Sequence, residues 1–226
     1  MRPRGLLITI DGPAGAGKST VARALARELD YLYLDTGAMY RAVALAAKKR
    51  GLSFQDEDAL ARLCEKLSLE LLPCREGLCV LVEGEDVSQE IRTPEIDYLS
   101  SLVARIPGVR LCLKKRQRVL GEAGGVVAEG RDMGSHVFPD ADLKFFLTAS
   151  PEVRAQRRHR ELLAKGHEIS FEEVLEEVLA RDKRDREREL APLVVPEGAL
   201  VLDTSELSTE EVIERLLQEV RSRLRS

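Results

Sequence analysis

Five short apolar runs recur along the chain, and stretches with apolar residues at helical spacing separate them. The runs are LLITI (6–10), YLYLD (31–35), GVVAEG (125–130), DLKFFLT (142–148) and GALVLDT (198–204). Short runs of this kind, rich in apolar residues and lacking strict alternation, read as strands covered on both faces. In KSTVARALAREL (18–29), Val21, Ala22, Leu25 and Leu29 fall three or four apart, which predicts a helix. AMYRAVALAAKKRG (38–51) predicts a second helix, stopped at Gly51. DEDALARLCEKL (56–67) predicts a third, opening on acids that suit a helix N-terminus. Further helices are predicted over 93–106, 108–122, 150–166, 170–193 and 208–226. Proline at the first helical position marks the one over 150–166, and a Ser/Thr–Glu cap the last.

Residues 67–88 break this rhythm. They read as short strands joined by turns between Pro73 and Gly77 and at Gly84, a small antiparallel sheet inserted into an alternating chain. Elsewhere strand follows helix, which predicts an α/β fold built on a parallel sheet with right-handed crossovers. Ligands of such sheets bind beyond the carboxyl ends of the strands, here just after residues 10, 35, 129 and 148.

A chain of 226 residues suits one α/β domain with an insertion, or two small domains. The net charge of −4 argues against bulk nucleic-acid binding. The apolar run near the N-terminus meets Asp11 too early for a signal peptide, and no run is long enough to span a membrane. A cytoplasmic protein is expected. Cys64, Cys74, Cys79 and Cys112 form no CxxC pair and the three histidines are scattered, so reduced thiols are expected and a zinc site is not.

The special residues cluster where the topology puts ligands. GPAGAGKST (12–20) satisfies G-x-x-x-x-G-K-[ST] through Gly12, Gly17, Lys18 and Ser19. Its glycines let backbone N–H groups turn inward to hold a triphosphate at the start of a helix, with Lys18 reaching the β and γ phosphates and Ser19 offering a hydroxyl to Mg²⁺. A guanine-reading Asn-Lys-x-Asp is excluded, because the chain has no asparagine. After the second strand come Asp35, Thr36, Tyr40 and Arg41: Thr36 to cap the helix and bond a phosphate oxygen, Arg41 to fork onto a phosphate. After the third come Glu129, Gly130, Arg131 and Asp132. Arg181, Arg184, Asp185 and Arg188 fall on one face of a predicted helix, and Arg154 and Arg158 on the one before it. Two arginine-bearing helices read as a lid over phosphates; the bland alternative is a solvated, charge-balanced surface.

ITIDGPAGAGKSTVA, YLDTGAMYRA, EGEDVSQEIRTPEI, AEGRDMGSHVFPDADLKFFLTAS and RDKRDRERELAPL together resemble the bacterial cytidylate kinases, from about residue 6 to the C-terminus. The resemblance implies an α/β, P-loop nucleoside-monophosphate-kinase fold: a five-stranded parallel sheet flanked by helices. Residues 1–66 and 107–226 would form its core, 67–106 an inserted acceptor-binding region, and about 157–168 a short lid. It implies transfer of the γ-phosphoryl group of Mg²⁺-bound ATP to CMP, and to dCMP. Beside it stands the expectation of a monomer that, on its composition, binds no nucleic acid and no membrane.

Residue by residue, the resemblance assigns ATP to Gly12, Pro13, Ala14, Gly15, Ala16, Gly17, Lys18, Ser19 and Thr20, with Arg154 and Arg158 beside it. Thr36, Arg41, Arg131, Arg181 and Arg188 would hold the CMP phosphate and the group in transit, Asp185 the ribose, and Ser101, Arg110 and Asp132 the cytosine; Ser100 could serve in place of Ser101. Lys18, Arg131, Arg181 and Arg188 would be catalytic, and Ser19, with waters, would hold the metal, Glu129 behind it. Two other readings stand beside this one. One is a kinase for UMP, dTMP or shikimate; the other is a nucleotide sensor without turnover.

Overall fold

The computed structural model describes residues 2–74 and 77–225. β1 (Leu7–Asp11) is buried along its whole length. A loop leads into α1 (Lys18–Leu29), and Asp30, in the left-handed region at φ 55°, ends that helix. β2 (Leu32–Asp35) runs directly into α2 (Thr36–Lys49). Asp35 caps α2 by accepting from the Ala38 N–H at 2.8 Å. Thr36 is thus the first helical residue and not the cap expected of it: Asp35, extended and one position earlier, takes the free N–H, and the Thr36 hydroxyl is turned to the Glu129 carbonyl. α3 (Glu57–Lys66) is capped by Asp56.

The inserted strands follow: β3 (Leu69–Cys74), β4 (Gly77–Val82) and β5 (Glu85–Asp86), paired antiparallel in that order. Glu83 and Gly84, both at positive φ, turn β4 into β5. The tip of the turn expected between Pro73 and Gly77 lies outside the described residues. α4 (Pro94–Val103) and α5 (Pro107–Gly121) each open on proline, whose missing N–H costs nothing at that position.

β6 (Val126–Glu129) and β7 (Leu143–Thr148) flank β1, and β8 (Leu200–Asp203) pairs with β7. The order β2-β6-β1-β7-β8 is parallel throughout, so all five carboxyl ends point one way. α6 (Pro151–Ala164), α7 (Phe171–Glu187) and α8 (Thr209–Arg225) complete the chain. α6 and α7 pack on each other around Ala155, Leu162, Val174 and Val178. The stretch expected as a lid, 157–168, covers the second half of α6 and the turn at Gly166.

Two further cores sandwich the sheet. One gathers Leu25, Val127, Phe145 and Leu216 on the side of α1 and α8. The other gathers Leu7, Ala42, Leu60 and Leu113 on the side of α2, α3 and α5, and takes in Val80, Val87, Ile91 and Ile96 from the inserted stretch. Among the described residues no helix is long and apolar enough to cross a membrane.

Candidate active site

At the end of β1 the chain must turn tightly beside β7. A Cβ on Gly12 would stand 1.9 Å from the Leu147 carbonyl oxygen, so only glycine fits. Gly17, at φ 87°, then starts α1 with no side-chain cap, leaving the helix N–H groups facing the loop. The Lys18 side chain folds back over this loop and its Nζ donates to the Pro13 carbonyl at 2.7 Å. Burial and then the neighbouring Arg131 charge pull its ammonium down to about 7, against the opposing pull of Glu129.

Glu129, at the end of β6, ties the loop to β2. Ser19 donates to its Oε2 at 2.9 Å, Tyr33 donates to its Oε1, and Thr36 donates to its backbone carbonyl at 2.6 Å. Burial, and Asp35 beside it, raise its carboxyl above the usual value. Asp11 fixes the next turn: its two oxygens accept the N–H groups of Met133 and Gly134 at 2.8 and 2.7 Å. That anchorage aims Arg131 and Asp132 over the sheet.

Acidic side chains hold most of the arginines around one cleft of about 550 Å³, which also takes in the loop residues Ala14 to Thr20. Asp35 accepts from Arg41 at 2.9 Å, and Asp185 accepts from Arg131 Nε at 2.9 Å. Burial pushes the Asp185 carboxyl up, but Arg131, Arg181 and Arg188 outweigh it and hold it below the usual value. Arg110 donates to Asp132, and Arg188 Nη2 lies 3.5 Å from the other Asp132 oxygen. Three buried donors here have no hydrogen-bond partner among the described residues: Arg41 Nε, Arg181 Nε and Arg188 Nη2. A buried cationic donor without an acceptor is costly, so this cleft is shaped for an oxyanion.

A phosphate-binding loop facing a second, arginine-lined anion pocket is the arrangement of a phosphotransferase, and the sequence profile described as cytidylate kinase matches residues 8–222. The chain belongs to the cytidylate kinase family. It is 52% identical to the cytidylate kinase of Carboxydothermus hydrogenoformans over 93% of this chain and 95% of that one. To the cytidylate kinase of Caldanaerobacter subterraneus it is 50% identical, over 95% and 94%. Among solved structures, an uncharacterized protein from Eubacterium ventriosum superposes with a TM-score of 0.53 over 96% of this chain and 99% of that one. At 10% identity that likeness is one of fold alone.

For a member of this family, the cleft collects nearly all the residues expected from the sequence. Ala14, Gly15, Ala16, Gly17, Lys18, Ser19, Thr20, Thr36, Arg41, Ser101, Arg110, Arg131, Asp132, Arg158, Arg181, Asp185 and Arg188 all line it. Ser100 lines it as well as Ser101, and both hydroxyls donate to carbonyls one turn back. Gly12 and Pro13, expected with the loop, do not line the cleft, and two further expectations need correction. Arg154 lies behind the loop, wholly buried, and does not line the cleft. Its guanidinium is taken by both Asp182 oxygens at 3.0 and 2.6 Å and by the carbonyls of Ala14 and Ala149. Arg188 is not on the helix face of Arg181 and Asp185: α7 ends at Glu187, and Arg188 leaves it in an extended conformation. Its Nε donates to the Ala191 carbonyl at 2.5 Å, and Ala191 itself sits at φ 50°. The bend turns Arg188 inward, toward Asp132.

Three residues of the site were not singled out from the sequence. Arg157, on α6, donates to Thr204 at 3.0 and 2.6 Å and lines the cleft where Arg154 was expected. Asp97 comes from α4 and binds Arg158. Asp11 sits one residue before the motif, in an otherwise apolar strand; a carboxylate there was the signal available, since a charge in a buried strand needs partners.

Proposed function

We propose that the chain transfers the γ-phosphoryl group of ATP to the 5′-phosphate of CMP, and of dCMP, giving ADP and the nucleoside diphosphate. The observation that carries this reading is the set of three unpartnered buried guanidinium donors facing a phosphate-binding loop across one cleft. One triphosphate on the loop would leave Arg41 Nε and Arg188 Nη2, on the far side, still without a hydrogen-bond acceptor; a second phosphorylated ligand supplies it.

In this reading the loop N–H groups of residues 14 to 20 and Lys18 hold the ATP phosphates, with Arg157 and Arg158 beside them. Arg41 and Thr36 hold the acceptor phosphate. Arg131, Arg181 and Arg188 sit between the two and neutralise charge on the group in transit. Phosphoryl transfer asks the protein mainly for position and charge, and the acceptor phosphate is already largely ionised near neutral pH, so no general base is assigned. Asp185 takes the ribose hydroxyls. Arg110 and Asp132, with Ser101 or Ser100, present two donors and one acceptor to the cytosine edge.

Ser19 Oγ and Glu129 Oε2, 2.9 Å apart, form a hard oxygen set that fits Mg²⁺ keeping most of its waters. Bound there, the ion would neutralise β and γ phosphate charge. We place the enzyme in the cytoplasm, and we take it as a monomer because one chain supplies both pockets. The test is ADP release from ATP with CMP, dCMP, UMP, dTMP and shikimate in turn. CMP and dCMP should lead the panel. Turnover led by another acceptor moves the base assignment, and ATP binding without any turnover makes the protein a sensor.

A further inference from the structure

Asp35, Asp132 and Asp185 each make their shortest ion pair with an arginine assigned above to the acceptor: Arg41, Arg110 and Arg131. Asp97 does not. It sits in the first turn of α4, within the inserted stretch, and its Oδ2 accepts from Arg158 Nη2 of α6 at 2.6 Å. Its other oxygen lies 3.8 Å from Arg41 Nη1, and Arg181 is within its electrostatic reach. The carboxylate therefore stands among three arginines that the reading above gives to phosphates. The next residue reinforces the bridge: Arg184 of α7 stacks over the Tyr98 ring at 5.8 Å. Adjacent positions of one helix thus clasp both helices of the lid.

We propose that Asp97 is a resident anion that holds Arg158, and shares Arg41 with Asp35, until phosphate takes both. It is a positioning residue: it touches no reacting atom in this scheme and acts through the arginines. The physical argument is one of competition. A carboxylate carries one negative charge and a triphosphate several, so the ligand takes the arginines. The Arg158–Asp97 pair is 28% and 19% exposed, which leaves it open to water and salt and easy to exchange. A contact that the ligand must displace stabilises the ligand-free protein, and so lowers affinity for whatever displaces it. Asp97 keeps the lid arginines folded in and aimed at the cleft, and ATP affinity is weaker for it.

The inference rests on the assignment of Arg158 and Arg41 to phosphates. The test is the dissociation constant of Mg²⁺-bound ATP, by calorimetry at low and high salt, for the wild type, Asp97→Asn, Asp97→Glu and Tyr98→Ala. Asp97→Asn removes the charge and keeps the shape; it should bind ATP about two- to fivefold tighter at low salt, the range expected for loss of one exposed ion pair. The gain should vanish at about 1 M salt, where screening reaches only about 3 Å. Asp97→Glu should bind like the wild type. Tyr98→Ala loosens the clasp without altering charge and should show no gain. Unchanged or weaker binding by Asp97→Asn overturns the proposal, as does an equal gain by Tyr98→Ala, which would make lid opening the cause. If the wild type itself binds no ATP, the functional reading fails instead.

Discussion

Lys18 illustrates how a single residue is conditioned by its surroundings. It is buried near Arg131 and Arg181 and held by one carbonyl, so phosphate is its natural partner. Lys18→Ala should lower kcat by two or more orders of magnitude, on the scale of losing one preorganised electrostatic group, about 2.7–4 kcal/mol. Cooperative unfolding should persist, since the ammonium holds no second element in place. Asp132 bears on base choice. Cytosine offers its N4 amino group to a carboxylate, whereas uracil presents an oxygen there, and the two acceptors repel. The wild type should favour CMP over UMP by about tenfold or more in kcat/KM. Asp132→Ala should shrink that ratio mainly by harming CMP; an unchanged ratio moves base reading elsewhere. Asp11 gives a pH signature. Burial raises its carboxyl from 3.8 to about 6 despite the two N–H groups it accepts. A raised folded-state value means the native protein holds a proton the unfolded chain has released, so stability falls as pH rises through that window. Urea unfolding should show the wild type losing about 1 kcal/mol against Asp11→Asn between pH 5 and pH 7, and nothing further above pH 7.

At the scale of elements, the weight falls on the junction of α6, α7 and the phosphate loop. Arg154 joins all three, gripping Asp182 of α7 with both prongs and the Ala14 carbonyl with a third bond. Arg154→Ala strands Asp182 in a dry interior. Breaking a buried pair from one side costs about 3–5 kcal/mol. Thermal unfolding should fall by roughly 6–20 °C for a chain of this size. Replacing both partners by leucine should restore much of the loss, because neither charge is then left unpaired. If the single variant melts like the wild type, the pair does not brace the loop. The same junction explains the end of α7. Past Glu187 the chain bends back, with the Leu193 N–H donating to the Asp185 carbonyl at 2.8 Å, and the bend delivers Arg188.

Over the whole molecule, the inserted stretch and the parallel sheet share one core. Val80, Val87, Ile91 and Ile96 pack in the same cluster as Leu7, Leu34 and Val126 of the central strands. Neither part keeps its apolar surface covered without the other. Calorimetry should therefore show one transition, with calorimetric and van't Hoff enthalpies in agreement. Two resolved peaks would mean that the insert unfolds by itself.

Local chemistry was enough for much of this. The phosphate loop, the five strands, the helix starts and the inserted sheet follow from glycine positions, apolar spacing and caps, all of which act within a few residues. The family resemblance added the base-reading and ribose positions, which no spacing reveals. What the sequence could not decide is where side chains from distant elements meet. Arg154 and Arg157 stand three apart on one helix, and only the packing of α6 against α7 and the loop buries the first and turns the second to the cleft. Arg188 fitted a helical face until the tertiary bend at 188–193 took it off the helix. Asp97 looked like an ordinary first-turn acid, and the fold brought an arginine from 61 residues away to its carboxylate. Hydrophobic period and turn residues are short-range properties, so the sequence carries them directly. Charge partners are chosen by the closure of the chain in three dimensions, and only the tertiary structure decides them.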